Sequence, residues 1–267
     1  MCDHKMLISA LAILVGLSGC AINTATDSPE ELARTWDSAR VRIPGSVIGE
    51  QTRNIDWKMG SREVFQAMAE FPPHIRIPVV IYLHGCGGFG PAAVSDISKL
   101  SAEGYAVIAP DSFARRYRPP DCDQKTYTTG LFPQAHAFRQ AEIKYAAQRV
   151  RELPWVDQAN VFLMGFSEGG RATAAYEGDE FKGHIITGST CDRQGIGAPR
   201  AKPVLAIVAS NDPWFRNTRS AGCGMSMGSR PHAQFLVIPA SEHHVTQYPA
   251  AWKALSDFLR QHTSKGQ

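Results

Sequence analysis

From residue 78 onward, short runs of apolar and β-branched residues alternate with longer segments whose apolar residues recur at helical spacing. The short runs end in Gly, Pro, Asp or Ser, and they predict buried strands at 78–83, 105–109, 160–164, 184–187, 204–209 and 234–238. The longer segments predict helices at about 91–103, 135–152, 168–177 and 246–261. This alternation is typical of βαβ units, so we expect an α/β fold with a doubly wound, mostly parallel sheet and helices on both faces.

Two segments, 111–134 and 210–231, interrupt this alternation. Both follow strands of the predicted sheet, and ligands of open parallel sheets bind outside the carboxyl ends of the strands. We expect the segments either to form the walls of a substrate pocket or to be long surface loops held by Cys122 and Cys223. The first segment contains three arginines, Arg115, Arg116 and Arg118. These predict either a contact for an anionic substrate or a solvated charged face.

The N-terminus has a different pattern, with a polar start, an apolar run from Met6 to Leu17 and small residues before Cys20. The run is shorter than the roughly 20 apolar residues of a spanning helix, and it predicts a signal peptide. The junction Leu17-Ser18-Gly19-Cys20 resembles a bacterial lipobox, which implies cleavage before Cys20 and lipidation of that residue. The alternative is an ordinary secretory signal with an unrelated cysteine.

These patterns divide the chain into a lipoprotein signal peptide at 1–19, a lipidated N-terminus and tether at 20–45, and one domain at 46–267. We expect the tether to become helical or ordered near Leu32 to Trp36. Lipidation of Cys20 would anchor the protein to a membrane of the cell envelope, on the periplasmic face. Ala21 follows Cys20 where Asp would favour retention in the inner membrane, so the outer membrane is favoured.

Composition narrows the class of protein. A chain of 267 residues with 43% hydrophobic and 20% charged residues can bury one large core. The net charge of +3 is spread without a long Lys/Arg block, so no nucleic-acid partner is expected.

Four cysteines follow Cys20, namely Cys86, Cys122, Cys191 and Cys223. Export would allow disulfides among them in any of three full pairings, and their spacing gives no metal site.

The candidate nucleophile is Ser167, in the sequence Gly165-Phe166-Ser167-Glu168-Gly169. It follows a predicted strand and precedes a predicted helix, which is the context in which G-x-S-x-G forms a nucleophile elbow. The serine of such an elbow has a strained backbone, so the residues two positions away must lack side chains that would clash.

A second glycine-rich turn, His84-Gly85-Cys86-Gly87-Gly88, directly follows the strand at 78–83. Its glycines let backbone N–H groups face a ligand, and we assign the oxyanion hole to the N–H groups of Cys86 and Glu168. Only the amide of Cys86 enters this assignment, and its side chain is interpreted as incidental. We interpret His84 as a structural histidine bonded to the backbone.

An acid and a base follow the last two predicted strands. Asp212 follows the strand at 204–209, where it would orient an imidazole, although a turn aspartate before proline has the same local pattern. Asp192, after the preceding strand, is the reserve candidate. The sequence Ser241-Glu242-His243-His244 follows the strand at 234–238, and only one of its two adjacent histidines can be the base.

The order Ser, Asp, His resembles that of the α/β-hydrolase superfamily. Within it, the chain resembles the dienelactone hydrolase-like family over about 75–262. The matching motifs are His84–Gly88, Ala109–Phe113, Met164–Gly170 and Asp212–Trp214. In that family the histidine follows the last strand by about five residues in a proline-containing loop, which favours His243. Dienelactone hydrolases use cysteine where this chain has Ser167, which argues against dienelactone as the substrate.

The resemblance implies a serine hydrolase that cleaves a carboxylic ester or lactone-like bond of a small molecule through an acyl-enzyme. No metal or organic cofactor is expected. Two alternatives stay open. One is an acyltransferase or peptidase with the same triad, and the other is a non-catalytic envelope lipoprotein that uses the fold as a binding scaffold.

Overall fold

The protein is described here by a computed structural model that covers residues 25–48, 57–191, 195–215 and 222–264. In these ranges the central sheet contains eight strands: β1 (Arg40–Arg42), β2 (Trp57–Lys58), β3 (Ile77–Leu83), β4 (Ala106–Ala109), β7 (Val156–Phe166), β8 (His184–Thr187), β9 (Val204–Ala209) and β10 (Ala233–Ile238). A separate small hairpin consists of β5 (Cys122–Asp123) and β6 (Thr128–Thr129). The helices are α1 (Pro29–Asp37), α2 (Gly45–Ile48), α3 (Arg62–Ala69), α4 (Pro91–Ala102), α5 (Ala135–Val150), α6 (Glu168–Ala175), α7 (Gly222–Met227) and α8 (Pro249–His262).

The strand order is β10-β9-β8-β7-β3-β4-β1-β2. Strands β10 to β4 are parallel, and β1 and β2 extend the sheet in antiparallel orientation. All six predicted strands lie in the parallel part. Because their carboxyl ends share one edge, the loops that follow β3, β7, β9 and β10 meet there.

Alternating residues of β3 point to opposite faces of the sheet. Val79 and Ile81 pack in one core with α5 and α6, whereas Val80 and Tyr82 pack in another with α4 and α8. Helices therefore cover both faces, and the predicted doubly wound α/β class is confirmed.

The predicted tether is helical where the sequence indicates order, around Leu32 to Trp36, and this part of it packs on the folded domain. The apolar residues Leu32 and Trp36, four positions apart, place one face of α1 in the protein interior. Strand β1 then pairs with β4, with Arg40 opposite Ala109. The carbonyl oxygen of Thr26 also accepts a hydrogen bond from Nη2 of Arg115 at 3.1 Å. The folded domain therefore begins well before residue 46.

The predicted signal peptide and Cys20 lie outside the described residues. Within the ranges that are described, no helix has the length and apolar character required to cross a membrane.

Two disulfides connect the long loops to the sheet edge. Cys86 is bonded to Cys122, which joins the glycine-rich turn after β3 to the loop at 111–134. Cys191 is bonded to Cys223, which joins the segment after β8 to α7. The interpretation of the Cys86 side chain as incidental is wrong, because this side chain fixes one candidate pocket wall.

Both sequence interpretations of the arginine cluster are wrong for two of its members. Arg115 and Arg118 are buried, and they pair with Glu142 at 2.7 Å and with Glu168 at 2.6 Å. Only Arg116 has a largely exposed side chain. The partner carboxylates belong to α5 and α6, so a local charge pattern could not reveal these pairs.

Candidate active site

Ser167 lies in the sharp turn between β7 and α6. Its backbone has φ 58° and ψ −116°, in a region that L-residues rarely occupy. A Cβ atom on Gly165 would lie 2.1 Å from the carbonyl oxygen of Gly169, and a Cβ atom on Gly169 would lie 2.2 Å from that of Leu83. Glycine is therefore required on both sides of the serine, for the steric reason stated from the sequence.

Ser167, His243 and Asp212 form a continuous hydrogen-bonded chain. Nε2 of His243 lies 2.8 Å from Oγ of Ser167, and Nδ1 of His243 lies 2.6 Å from Oδ2 of Asp212. Asp212 is buried, and its other oxygen accepts a hydrogen bond from the N–H of Trp214 at 3.0 Å. With its proton on Nδ1, His243 donates to the carboxylate and accepts the serine hydroxyl proton on Nε2.

His244 has a different set of neighbours. Its Nε2 lies 3.1 Å from Oδ1 of Asp96 in α4, and Oγ1 of Thr246 lies 2.5 Å from the same oxygen. The hydroxyl of Tyr82 donates to the other oxygen of Asp96 at 3.0 Å. Of the two adjacent histidines, His243 is thus the one in contact with Ser167 and Asp212. The reserve acid Asp192 lies outside the described residues.

His84 is bonded to the backbone, as expected from the sequence. Its Nδ1 lies 2.7 Å from the carbonyl oxygen of Gly85, and its Nε2 accepts a hydrogen bond from the N–H of Ser112 at 3.2 Å. Burial, together with the positive charge of Arg139, holds the pKa of His84 well below the ordinary histidine value. The ring is therefore neutral, with its proton on Nδ1.

The two predicted oxyanion-hole amides belong to two segments that adjoin Ser167, namely the start of α6 and the glycine-rich turn after β3. Glu168 is the first residue of α6, and the first N–H groups of a helix have no acceptor within that helix. Cys86 lies in a turn closed by a hydrogen bond from the N–H of Gly88 to the oxygen of Gly85 at 3.1 Å. A Cβ atom on Gly85 would lie only 3.3 Å from Cβ of Ser167, so this turn runs directly beside the serine.

Buried charges that were not predicted from the sequence lie beneath the elbow. Oε1 of Glu168 accepts hydrogen bonds from Nη2 of Arg118 at 2.6 Å and from Nε of Arg139 at 2.9 Å. Burial alone would raise the pKa of Glu168, but the two guanidinium groups outweigh burial and lower it. The signal that the sequence offered for this pairing was a glutamate, Glu168, at the start of a helix expected to pack on the buried sheet.

A cavity of about 300 Å³ opens beside Ser167. Both long loops contribute to it, since Gln124 and Tyr127 come from the first and Trp214 from the second. The rings of Tyr127 and Trp214 meet edge to face with 5.4 Å between their centroids. The expectation that these loops form pocket walls agrees with this geometry. Among the described residues that line the cavity, none is Asp, Glu, Lys or Arg.

Solved structures with similar backbones share the α/β-hydrolase fold. Esterase Pf2001 of Pyrococcus furiosus has a TM-score of 0.55 and 15% identity, over 73% of this chain and 86% of that chain. A candidate dienelactone hydrolase of Klebsiella pneumoniae has a TM-score of 0.54 and 18% identity, over 70% and 88%. TT1662 of Thermus thermophilus has a TM-score of 0.53 and 16% identity, over 73% and 93%. At these identities the likeness concerns the fold alone.

Sequence comparison gives the family. No curated protein matches the chain. A family model does match, over residues 65–247, which is more than half of the chain and includes Ser167, Asp212 and His243. The chain therefore belongs to the Dienelactone hydrolase family, within the α/β-hydrolase fold.

Proposed function

We propose that the protein is a serine hydrolase that cleaves carboxylic ester or lactone-like bonds of small, uncharged molecules. The observation that carries this proposal is the hydrogen-bonded chain from Ser167 through His243 to Asp212, in a strained elbow beside an open cavity. This arrangement has the geometry of an activated serine nucleophile.

In the proposed reaction, Nε2 of His243 takes the hydroxyl proton while Oγ of Ser167 attacks the substrate carbonyl carbon. The negative charge that develops on the carbonyl oxygen is stabilised by the N–H groups of Cys86 and Glu168. His243 then returns the proton to the departing alcohol oxygen, which leaves an acyl group on Ser167. A water molecule, deprotonated by the same histidine, releases the acid and restores the serine.

The cavity supports a neutral substrate. Its lining is mainly apolar and aromatic, with Phe166, Tyr127 and Trp214 around the serine. A carboxylate on the substrate would lose its hydration there without gaining a cationic partner from the described residues of the lining. We therefore expect neutral esters to have a higher kcat/KM than esters with a carboxylate on the acyl group.

The test is hydrolysis of p-nitrophenyl esters from acetate to octanoate, with the hydrogen succinate ester as the charged comparison. Ser167→Ala and His243→Gln should each lower kcat by at least about 10⁴-fold, because the triad acts as one unit. His244→Gln is the matched control, and its loss should be less than about tenfold.

A fluorophosphonate probe should label Ser167 in the wild-type protein and not in Ser167→Ala. A folded wild type with neither turnover nor labelling would contradict the proposal and favour a non-catalytic scaffold. Labelling with transfer of the acyl group to an alcohol or amine acceptor, detected by product analysis, would favour the acyltransferase alternative. Turnover of peptide bonds in place of esters would favour a peptidase.

A further inference from the structure

A fully buried arginine, Arg139 of α5, lies beneath the elbow and outside the proposed triad. Its Nε donates to Oε1 of Glu168 at 2.9 Å, and its Nη2 donates to the carbonyl oxygen of His84 at 2.8 Å. One guanidinium group therefore binds the first residue of α6 and the first residue of the glycine-rich turn. These two segments supply the two oxyanion-hole amides of the proposed function.

On the side of the turn, the link continues through His84 to Cys86. Nε2 of His84 accepts from the N–H of Ser112, which places the ring proton on Nδ1. Nδ1 lies 2.7 Å from the oxygen of Gly85, to which it donates, and 2.9 Å from Nη2 of Arg139. The oxygen of Gly85 and the N–H of Cys86 belong to the same peptide group, which is planar. When His84 holds the carbonyl oxygen, it thereby fixes the direction of the Cys86 N–H.

On the side of the helix, the link runs through a carboxylate. Glu168 supplies the second amide, and its side chain accepts hydrogen bonds from Arg139 and Arg118. These bonds hold the first residue of α6 in place. Glu168 and Arg139 are both buried, and a buried ion pair contributes little net stability compared with apolar packing. By contrast, N–H groups that already point at the future oxyanion before the reaction begins give a large rate enhancement.

We propose that Arg139 is a positioning residue that, with His84, holds the two oxyanion-hole amides of Cys86 and Glu168 in register with each other. The proposal rests on the proposed serine hydrolase function. Arg139 does not touch the substrate, so its effect acts through the direction of the two N–H groups. Lysine keeps the charge but lacks the planar fork that reaches both partners at once.

The experiment compares Arg139→Lys and Arg139→Met with the matched controls Arg115→Lys and Arg115→Met. Arg115 is also a buried arginine paired with a glutamate, Glu142 at 2.7 Å, and its hydrogen bonds go to Glu142 and to the oxygen of Thr26. It shares Glu142 with Arg139, whose Nη1 lies 3.7 Å from the other carboxylate oxygen, but it has no hydrogen bond to His84 or Glu168 among the described contacts. We would measure kcat and KM for p-nitrophenyl acetate, the Ki of a trifluoromethyl ketone, and Tm, with active sites counted by fluorophosphonate labelling.

Arg139→Lys should lower kcat by about 10²-fold and leave KM within about twofold, because the oxyanion exists only in the transition state. The Ki of the ketone, which forms an oxyanion on binding, should rise by a similar factor. Arg115→Lys should lower Tm but keep kcat within about threefold of the wild-type value.

A folded Arg139→Lys variant with kcat within about threefold of wild type would overturn the proposal, and so would an equal loss in Arg115→Lys. If Arg139→Met does not fold, Arg139→Lys and His84→Phe decide the matter. His84→Phe keeps a ring but removes the bond to Gly85, and it should lower kcat by at least about tenfold. Turnover that survives in Ser167→Ala would instead overturn the proposed function, a result distinct from any obtained with Arg139.

Discussion

At the scale of single residues, some buried polar side chains have hydrogen-bond partners in the protein and others have none among the described residues. Arg139 and Glu168 are hydrogen-bonded to each other, whereas neither ring nitrogen of His184 has a hydrogen-bond partner among the described residues. His184 is fully buried in β8, with its ring centroid 6.0 Å from that of Phe181. Burial, together with the charges of Lys202 and Arg230, lowers its pKa to about 3. The folded protein therefore holds this ring neutral.

This residue should make the stability depend on pH. The pKa of about 3 in the folded state lies below the usual value of 6.5, so the unfolded state binds the proton first as pH falls. Stability is then lost from pH 6.5 down to about 3, at about 1.4 kcal/mol per pH unit. His184→Leu removes this contribution.

Urea unfolding measures the effect. Between pH 7.5 and pH 5, the free energy of unfolding of the wild type should fall by about 2 kcal/mol more than that of His184→Leu. The other titrating groups are common to both proteins and cancel in the difference. An identical pH dependence for the two proteins would contradict the prediction.

At the scale of structural elements, the two disulfides have different positions relative to the cavity. Cys86 lines the cavity, and its bond to Cys122 holds the loop that carries Gln124 and Tyr127. Gln124 is close to the glycine-rich turn, since a Cβ atom on Gly87 would lie 2.3 Å from its Nε2. Cys191 and Cys223 belong to a separate apolar cluster next to α7.

Removal of each disulfide should therefore have a different effect. Cys86→Ala with Cys122→Ala should lower kcat/KM for neutral esters by at least about tenfold, because the wall and an oxyanion-hole amide both lose a constraint. Cys191→Ala with Cys223→Ala should act mainly on stability, at a cost of about 2–5 kcal/mol. Kinetics and urea unfolding of the two double variants test this. Equal kinetic losses in both would contradict the separation.

The strands of the parallel sheet could be predicted from their short apolar runs, and the helices between them from apolar residues that recur at helical spacing. Strands β1 and β2 could not be predicted, since two or three residues are too few for a pattern, and β4, which connects them to the rest of the sheet, lies more than 60 residues from β1. The residues of the hydrogen-bonded chain were predicted because each directly follows a strand that ends at the same edge of the sheet. The pairing of Arg118 and Arg139 with Glu168 was missed because these residues come from distant segments that only the fold brings together.

At the scale of the whole molecule, we propose that Cys20 is lipidated and anchors the protein in the cell envelope, with the outer membrane favoured. The support is the sequence pattern at Leu17–Cys20. Cells producing the full chain should incorporate labelled palmitate into the wild type and not into Cys20→Ala. The wild type should also sediment with membranes, and the variant should not. A wild type that is released without label would indicate an ordinary secretory signal.

The hydrogen bond between Arg115 and Thr26 sets how far the domain could move from such an anchor. Thr26 lies six positions after Cys20, and a chain of that length reaches at most about 20 Å. This segment from Cys20 to Thr26 is shorter than the diameter of a small domain, and it meets the domain beside the loop that forms one wall of the cavity. A lipidated form would therefore hold this wall of the cavity close to the bilayer surface.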